Sequence, residues 1–361
     1  MPRFAQEVSA GVGAQEARAG AAIDPAKTHP TFLSDEFAQV VLTGCVTTER
    51  EYLRASRAGR GTTLTRRERK YIWQIISTFL FKCALRGSFT FPAIAAIAAE
   101  ILATREGFLF DHVLVDEAQD FHAGHWRFLR ACVGEHTNDI FLAEDSHQRI
   151  YGSKITLSHF GIHTRGRASR RLRVNYRTTA ETLGFAQAIL DAVPIDTWRD
   201  LTGEPDALTG YHSVRHGPQP ILVRSTSATE EIDQVMPVLQ RWVDQGGLSV
   251  GVLTRSNSRR REVEAQLSAR GLALNADPRS SGEPDTITVM TMHQAKGLEF
   301  THVALLDVGD SVIPRRVQGV PEAEVEDAMQ RERALLYVAS TRARDELLVS
   351  VVGEPSELLP G

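Results

Sequence analysis

The residues best suited to chemistry stand in one run, Val113, Leu114 and Val115 followed by Asp116, Glu117, Ala118, Gln119 and Asp120. Three apolar residues read as a short buried strand, and a strand ending in two adjacent carboxylates presents them at its sheet's carboxyl edge. There Asp116 can hold Mg2+ directly or through water, while Glu117 orients or deprotonates a water attacking a phosphate. An Asp-Glu pair after a strand is usually a solvated turn; Gln119 and Asp120 set this one apart. A second apolar run, Ile140-Phe141-Leu142, leads into Glu144, Asp145, Gln148 and Tyr151. Further clusters are Asn175-Tyr176-Arg177, then Arg255 with Asn257, then Thr291, His293, Lys296, Gly297 and Glu299, and last Tyr337, Thr341, Arg342 and Arg344.

The elements that must position these residues follow from hydrophobic period. Between Phe32 and about Arg105 the pattern is helical, with Tyr71, Ile72, Ile75, Ile76, Phe79 and Leu80 at three- and four-residue steps. Arg66, Arg67, Arg69 and Lys70 open that helix, as a solvated face or a DNA contact. From residue 113 onward short apolar runs alternate with helical stretches: Ala123 to Val133, Pro220-Ile-Leu-Val, Glu230 to Val243, Ser249 to Leu253, Arg259 to Ala269, Thr286 to Met290, His302 to Leu306 and Leu347 to Val351. An amphipathic helix carries Val325, Ala328, Met329, Leu335, Leu336 and Ala339 on one face. Buried strands alternating with helices predict α/β architecture with parallel sheets. Residues 1–30, rich in Ala, Gly and Glu, read as a loose tail.

Composition narrows the function classes. The 361 residues are 42% hydrophobic and 24% charged, with a net charge of −4, so any nucleic-acid contact must use a local basic patch. Cys45, Cys83 and Cys132 show no CxxC spacing, no apolar run reaches membrane-spanning length, and the N-terminus lacks a signal peptide's order. The expected location is cytoplasmic, with no membrane contact.

The ordered clusters resemble motifs II to VI of superfamily 1 DNA helicases of the UvrD/Rep/PcrA type, over roughly residues 32–352. The resemblance implies two RecA-like domains with ATP and Mg2+ at their interface and single-stranded or partly duplex DNA across both. It implies a helical accessory segment over 31–105, a partial first RecA-like domain over 106–172, and a second over 173–361 without a large accessory insertion between Asn257 and Thr286. By position, Asp116 becomes the magnesium-binding acid and Glu117 the catalytic carboxylate. Gln148 becomes the γ-phosphate sensor, Arg177 and Arg342 the arginines reaching that phosphate, Glu299 the ribose contact, and Gly297 a point of close backbone approach. Tyr151 would stack on a base, Thr291 and His293 would touch the DNA backbone, and Arg255 and Asn257 are further candidates.

The pattern also departs from the family. Ser153 stands where some members carry a second aromatic, and Glu144 replaces a usual glycine, which predicts an extra carboxylate near the site. None of the five lysines, Lys27, Lys70, Lys82, Lys154 and Lys296, follows a glycine, so the G-x-x-x-x-G-K-[ST] phosphate loop has no match. The nearest run, Ala26-Lys27-Thr28, meets Pro30 where a helix should propagate. The expected protein is therefore a 3′–5′ helicase or translocase in a shortened form, or one completed by a separate chain supplying that loop, its first sheet left with an open edge. The alternative is a degenerate helicase that binds DNA or protein without ATPase activity. A third reading gathers His122, His125, Cys132 and His136 as a metal site. The arginines at 165, 167, 170, 171 and 173 line a phosphate track or form a basic loop.

Overall fold

The computed structural model describes residues 23–360 apart from 43, 45, 58–59, 152–154, 165–168, 192, 195–196, 276–284 and 317. Most of the stretch read as a loose tail lies outside the described residues. Its end does not: Pro25–Thr28 form a 3-10 turn, from which Lys27 reaches Glu68 at 2.7 Å.

The helical segment comprises α1 (Pro30–Glu36), a π-helical continuation (Phe37–Val41), α2 (Glu49–Arg54), α3 (Arg66–Leu85) and α4 (Phe91–Ala103). Pro30 opens α1, where a missing N–H costs nothing. Both α2 and α3 begin with a capping box, Thr48 with Glu51 and Thr65 with Glu68, which satisfies two backbone donors at each start. The periodic residues Tyr71, Ile72, Ile75 and Ile76 meet Phe32, Phe37, Val40 and Tyr52 in one core.

Next come β1 (Val113–Val115), α5 (Ala123–Cys132) and β2 (Ile140–Leu142). The two strands pair in parallel, Leu114 opposite Phe141. Val115 packs on Trp126, Leu157 and Leu201, with Val113, Ile140 and Leu142 against the same cluster. Among the described residues the other face is bare: Leu114 is 77% exposed and Phe141 66%. Parallel strands ordinarily have both faces covered, so this sheet presents an uncovered apolar side as well as open edges. A second small parallel ribbon joins β3 (Val174–Asn175) to β4 (His212–Ser213), with α6 (Ala180–Asp191) between them in sequence.

The largest unit is a parallel sheet of β5 (Ile221–Ser225), β6 (Ser249–Thr254), β7 (Thr286–Thr291), β8 (Phe300–Leu305) and β9 (Ala343–Val352), in the order β5-β9-β8-β6-β7. Alternate residues serve opposite faces. Leu253, Met290, Val303, Leu305, Leu347 and Val349 pack with α6 and with α9 (Glu322–Ser340). On the other face Val250, Val252, Ile287, Ala304 and Leu348 pack with α7 (Ala228–Gln245) and α8 (Asn257–Ala269). The α/β class and parallel pairing read from the sequence are those observed: the fold is RecA-like, its first sheet incomplete among the described residues.

A buried ionic network fixes the helical segment to α9. Glu36 accepts from Tyr52 at 2.7 Å and pairs with Arg57 at 2.8 Å and Arg60 at 3.3 Å. Arg60 also reaches Glu324 of α9 at 3.0 Å. Beside it a Cβ on Gly61 would lie 2.3 Å from the Cβ of Ala323, so only glycine permits this approach.

Candidate functional site

The acids after β1 are held by short-range hydrogen bonds. Asp116 is exposed, and its Oδ1 accepts from the Glu117 amide at 2.8 Å. Glu117 adopts a left-handed backbone, φ 51°, uncommon for a side chain with a Cβ and characteristic of strained functional turns. Buried Gln119 donates to Glu117 Oε2 at 2.5 Å and accepts from the Asp145 amide at 3.1 Å, tying together the ends of β1 and β2.

Into this cluster the segment between β7 and β8 inserts Lys296. Its Nζ lies 2.7 Å from Asp120 Oδ2, donates to the Gln148 carbonyl at 2.6 Å, and stands 3.9 Å from Glu117 Oε2. Burial pushes the Asp120 carboxyl up, the hydrogen bond and charge of Lys296 pull it down, and Glu117 adds to the rise. Lys296 was in view in the sequence as the one lysine inside a motif cluster, yet nothing there gave it a partner.

Gln148 is used at both ends: Nε2 donates to Asp145 Oδ2 at 2.8 Å and Oε1 accepts from Arg342 Nη2 at 3.1 Å. Arg342 is 2% exposed and spends its other donors on the carbonyls of Val338 and Leu298, each at 3.1 Å. Burial and then the neighbouring Arg177 hold its pKa below the usual value, though a guanidinium stays charged at neutral pH. Arg177 is ion-paired with Glu299 at 2.7 Å, both about half exposed. Gly297 has a φ of 80°, a region open to glycine. The structure thus gathers Asp116, Glu117, Gln148, Arg177, Glu299 and Arg342 around one junction between the β1-β2 sheet and the five-stranded sheet.

The residues singled out for DNA lie beside it. Tyr151, 45% exposed, donates to the His293 carbonyl at 3.3 Å, with the rings 5.9 Å apart. Burial and the nearby Arg255 hold His293 below its ordinary pKa. Asn257 is exposed at the start of α8. Two candidates are already engaged: the buried Thr291 hydroxyl bonds Gln294 at 3.0 Å, and Arg255 forks onto Glu332 at 3.0 and 2.5 Å.

Sequence logic placed function at the carboxyl ends of strands, and most of the candidates obey it: Asp116 and Glu117 follow β1, Gln148 comes after β2, Arg177 after β3, Arg255 and Asn257 after β6, and Thr291 ends β7 just before His293. Glu299 and Arg342 do not, since they directly precede β8 and β9. The reason is the connection from β7 to β8. These strands run parallel in one sheet, so residues 292–299 return from its carboxyl edge to its amino edge without a helix. His293 lies at one end of that crossing, Lys296 in the middle and Glu299 at the other.

Other expectations are corrected. Glu144 turns away from the acids: Oε1 accepts from the Leu201 amide at 2.8 Å, and burial, opposed by that bond and reinforced by Asp200 and Asp206, pushes its carboxyl up to about 7. The proposed His/Cys metal set does not converge. His122 and His125 stack at 3.6 Å, with His122 lowered to about 4 by burial, while His136 bonds the carbonyls of Thr137 and Asp111. Among the described residues no group of three or more His, Cys, Asp or Glu side chains can hold a metal ion. Asp116 by contrast suits a hard cation that keeps most of its waters. Of the basic run, positions 165 and 167 lie outside the described residues, and Arg171 is offset by Asp200 at 3.3 Å and Asp206 at 3.7 Å. No helix of the described residues is long and apolar enough to cross a membrane.

Residues 53–156 match the UvrD/REP helicase N-terminal domain and residues 271–354 the UvrD-like helicase C-terminal domain. The ATP-dependent DNA helicase PcrA of Bacillus subtilis (strain 168) is 43% identical over 77 residues, 21% of this chain and 10% of the relative. PcrA of Staphylococcus aureus (strain Mu50) is 35% identical over 95 residues, 25% of the chain and 13% of the relative. PcrA of Staphylococcus epidermidis is 26% identical over 177 residues, covering 48% and 22%. The matched stretches therefore span between a tenth and about a fifth of these relatives. Among solved structures, the C-terminal domain of a possible DNA helicase from Lactobacillus plantarum aligns with a TM-score of 0.38 at 21% identity, over 51% of this chain and 91% of that one.

Proposed function

Because the chain belongs to the UvrD/PcrA-like DNA helicases, we propose that it acts in an ATP-dependent 3′–5′ DNA helicase or translocase, in a form whose hydrolysis needs a phosphate loop from polypeptide outside these 361 residues. The observation that carries this reading is the Arg342–Gln148 hydrogen bond across the two domains, next to Asp116 and Glu117. A buried guanidinium without a carboxylate partner is poised for an anion. Charge developing on a transferred phosphoryl group is what such an arginine neutralises, an effect of about 10³ to 10⁵ in rate where a finger is required.

In this proposal Asp116 holds Mg2+, Glu117 handles the attacking water, Gln148 and Arg342 read the γ-phosphate, and Arg177 and Glu299 part from each other to meet nucleotide. ATP and Mg2+ are the cofactors, and Mg2+ supplies charge neutralisation on the phosphate oxygens. Single-stranded or partly duplex DNA is the partner, with Tyr151 stacking on a base and His293 beside it. Thr291, Arg255 and Asn257 contribute along the same edge, Arg255 after release from Glu332. The open edges of the two-stranded sheet and the uncovered apolar face of Leu114 and Phe141 support completion of the first unit by further strands and a covering layer, from the same polypeptide or a separate one.

A binding role without turnover is the second reading. It is favoured by Lys296, whose ammonium already neutralises Asp120 and faces Glu117. Calorimetric titration with Mg-ATP, followed by a single-stranded-DNA-stimulated ATPase assay with Glu117→Gln as control, separates the two. Weak binding and no turnover are expected of these residues alone. Turnover abolished by Glu117→Gln would sink the binding-only reading, and tight Mg-ATP binding would show that no added loop is needed.

A further inference from the structure

We propose that residues 198–206 are a strap that positions the loop carrying Gln148, and that His147 is its positioning residue, fastened through a ring that holds a proton on each nitrogen. Naming Gln148 the γ-phosphate sensor rests on the function proposed above; the strap itself does not. The strap lies between α6 and β4, outside every motif cluster.

The strap is a closed turn. The Asp206 amide donates to the Trp198 carbonyl at 2.9 Å and the Asp200 amide to the Glu204 carbonyl at 3.0 Å. At its tip Gly203 takes a φ of 85°. Three side chains from the loop after β2 reach it. Glu144 accepts from the Leu201 amide at 2.8 Å, the Ser146 hydroxyl donates to Asp206 Oδ2 at 2.8 Å, and His147 Nε2 meets the Asp206 carbonyl at 3.1 Å. Ser146 and His147 are each 1% exposed, so breaking either bond leaves a buried polar group unpaired.

The chemistry of His147 follows from what its ring faces. A carbonyl oxygen only accepts, so Nε2 carries a proton. Nδ1 lies 3.2 Å from Asp145 Oδ1, and a carboxylate also only accepts. With one proton the ring turns a lone pair toward a carboxylate; with two it makes both bonds, the second of them charge-assisted. Burial acts against ionisation of Asp145, but the hydrogen bond and charge of His147 hold its carboxyl below the ordinary value. The same carboxylate accepts from the His147 amide at 3.0 Å on Oδ1 and from Gln148 Nε2 at 2.8 Å on Oδ2. It thereby sets which way the Gln148 side chain points, with Oε1 toward Arg342. His147 acts on the sensor through Asp145.

The other groups around the ring come from three elements. From the strap, Asp206 Oδ2 stands 3.9 Å from Nδ1, and Asp206 Oδ1, buried without a hydrogen bond, is 3.7 Å from Arg171. The Trp198 ring lies 5.5 Å away. From α9, the Tyr337 ring lies at 6.3 Å, its hydroxyl held neutral by burial. Tyr211, before β4, is pushed up to about 12 by burial and then by Asp206 and Asp145, and is neutral too. Glu144 titrates near neutrality: burial, reinforced by Asp200 and Asp206 and opposed by the Leu201 bond and Arg149, brings it to about 7. Rising pH ionises Glu144 beside two strap carboxylates and strips Nδ1 of its proton. Both changes loosen the strap.

The test uses the full chain without nucleotide. Glu144→Gln keeps an acceptor for the Leu201 amide and removes that titration, so it is the background for His147→Asn and His147→Phe. Asparagine places an amide donor near Nδ1 at any pH; phenylalanine keeps the ring's bulk and neither donor. Circular dichroism checks the fold of each variant. Hydrogen exchange read by mass spectrometry, corrected for the chemical rate, compares residues 145–151 at about pH 6 and about pH 8, on either side of the ordinary imidazole titration. In the Glu144→Gln background protection should fall about tenfold at the higher pH, the contribution of one hydrogen bond to a charged group. His147→Asn should stay protected at both pH values and His147→Phe at neither. In nitrogen NMR of isotopically labelled histidine, the resonances lost in His147→Asn should show both nitrogens protonated at the lower pH. Equal protection at the two pH values, an asparagine variant as exposed as the phenylalanine one, or a ring with one bare nitrogen at the lower pH would overturn the proposal. A Mg-ATP titration that shows no nucleotide site would instead overturn the sensor role of Gln148, and the exchange data would still decide the strap.

Discussion

Replacing Lys296 by methionine keeps the length of the side chain and removes its charge from the Asp120–Gln148 junction. The ion pair is 2.7 Å long, with the two side chains 8% and 21% exposed, so solvent compensates little for its loss. Removing one partner of a buried pair costs about 3–5 kcal/mol. The stranded carboxyl can instead take up a proton. From an ordinary value near 3.8 to pH 7, that route costs at most about 4 kcal/mol, at about 1.4 kcal/mol per unit. Burial already raises the Asp120 pKa, which lowers that ceiling, so a loss of about 2–4 kcal/mol is expected at neutral pH. The pH dependence follows from the sign of the shift. A carboxyl whose folded pKa lies above its unfolded value contributes stability that is fully present below the unfolded pKa and lost as pH rises through the folded one. Without Lys296 the folded value climbs further, so the deficit of Lys296→Met should shrink between about pH 7.5 and pH 5. Urea unfolding followed by circular dichroism, on Lys296→Met, Asp120→Asn and the double variant, measures this. The double variant should recover at least half of the loss. A single variant within about 0.5 kcal/mol of the parent at both pH values, or a double variant no better than the single, would refute the pair as a fastening between the two sheets.

Glu144→Gln should flatten a pH dependence of stability. With a folded value of about 7 against an ordinary value of 4.5, the parent loses about 3 kcal/mol as pH rises from 4.5 through 7, read by thermal or urea unfolding at several pH values. Tyr151→Ala should cost about 1–3 kcal/mol of single-strand affinity, seen in anisotropy titrations. Leu114→Ser with Phe141→Ser should leave stability within about 0.5 kcal/mol, because both side chains are exposed. The same pair should reduce dye binding to exposed apolar surface and slow aggregation measured by light scattering.

The sequence by itself determined the parallel α/β class, because period and strand length are local properties of the chain. Val113 to Val115 and Ile140 to Leu142 could be read as strands, and the steps of Tyr71, Ile72, Ile75, Ile76, Phe79 and Leu80 as a helix, without knowing what they would pack on. It also picked out Asp116, Glu117, Gln148, Glu299 and Arg342 as residues for one task, through their order along the chain. Only the tertiary structure decided their partners. Arg177 with Glu299, Arg255 with Glu332, Arg342 with Gln148 and Lys296 with Asp120 join residues distant in sequence, and no periodicity relates such pairs. The placement of Glu299 and Arg342 at the amino edge depends on residues 292–299 crossing back without a helix, which the strand pattern does not record. Glu144 turned to the Leu201 backbone because its pocket is built from another part of the chain. The uncovered side of Leu114 and Phe141 also belongs to the tertiary level. An apolar run announces that it will be buried, whereas only the packed structure shows which of its faces has found a cover.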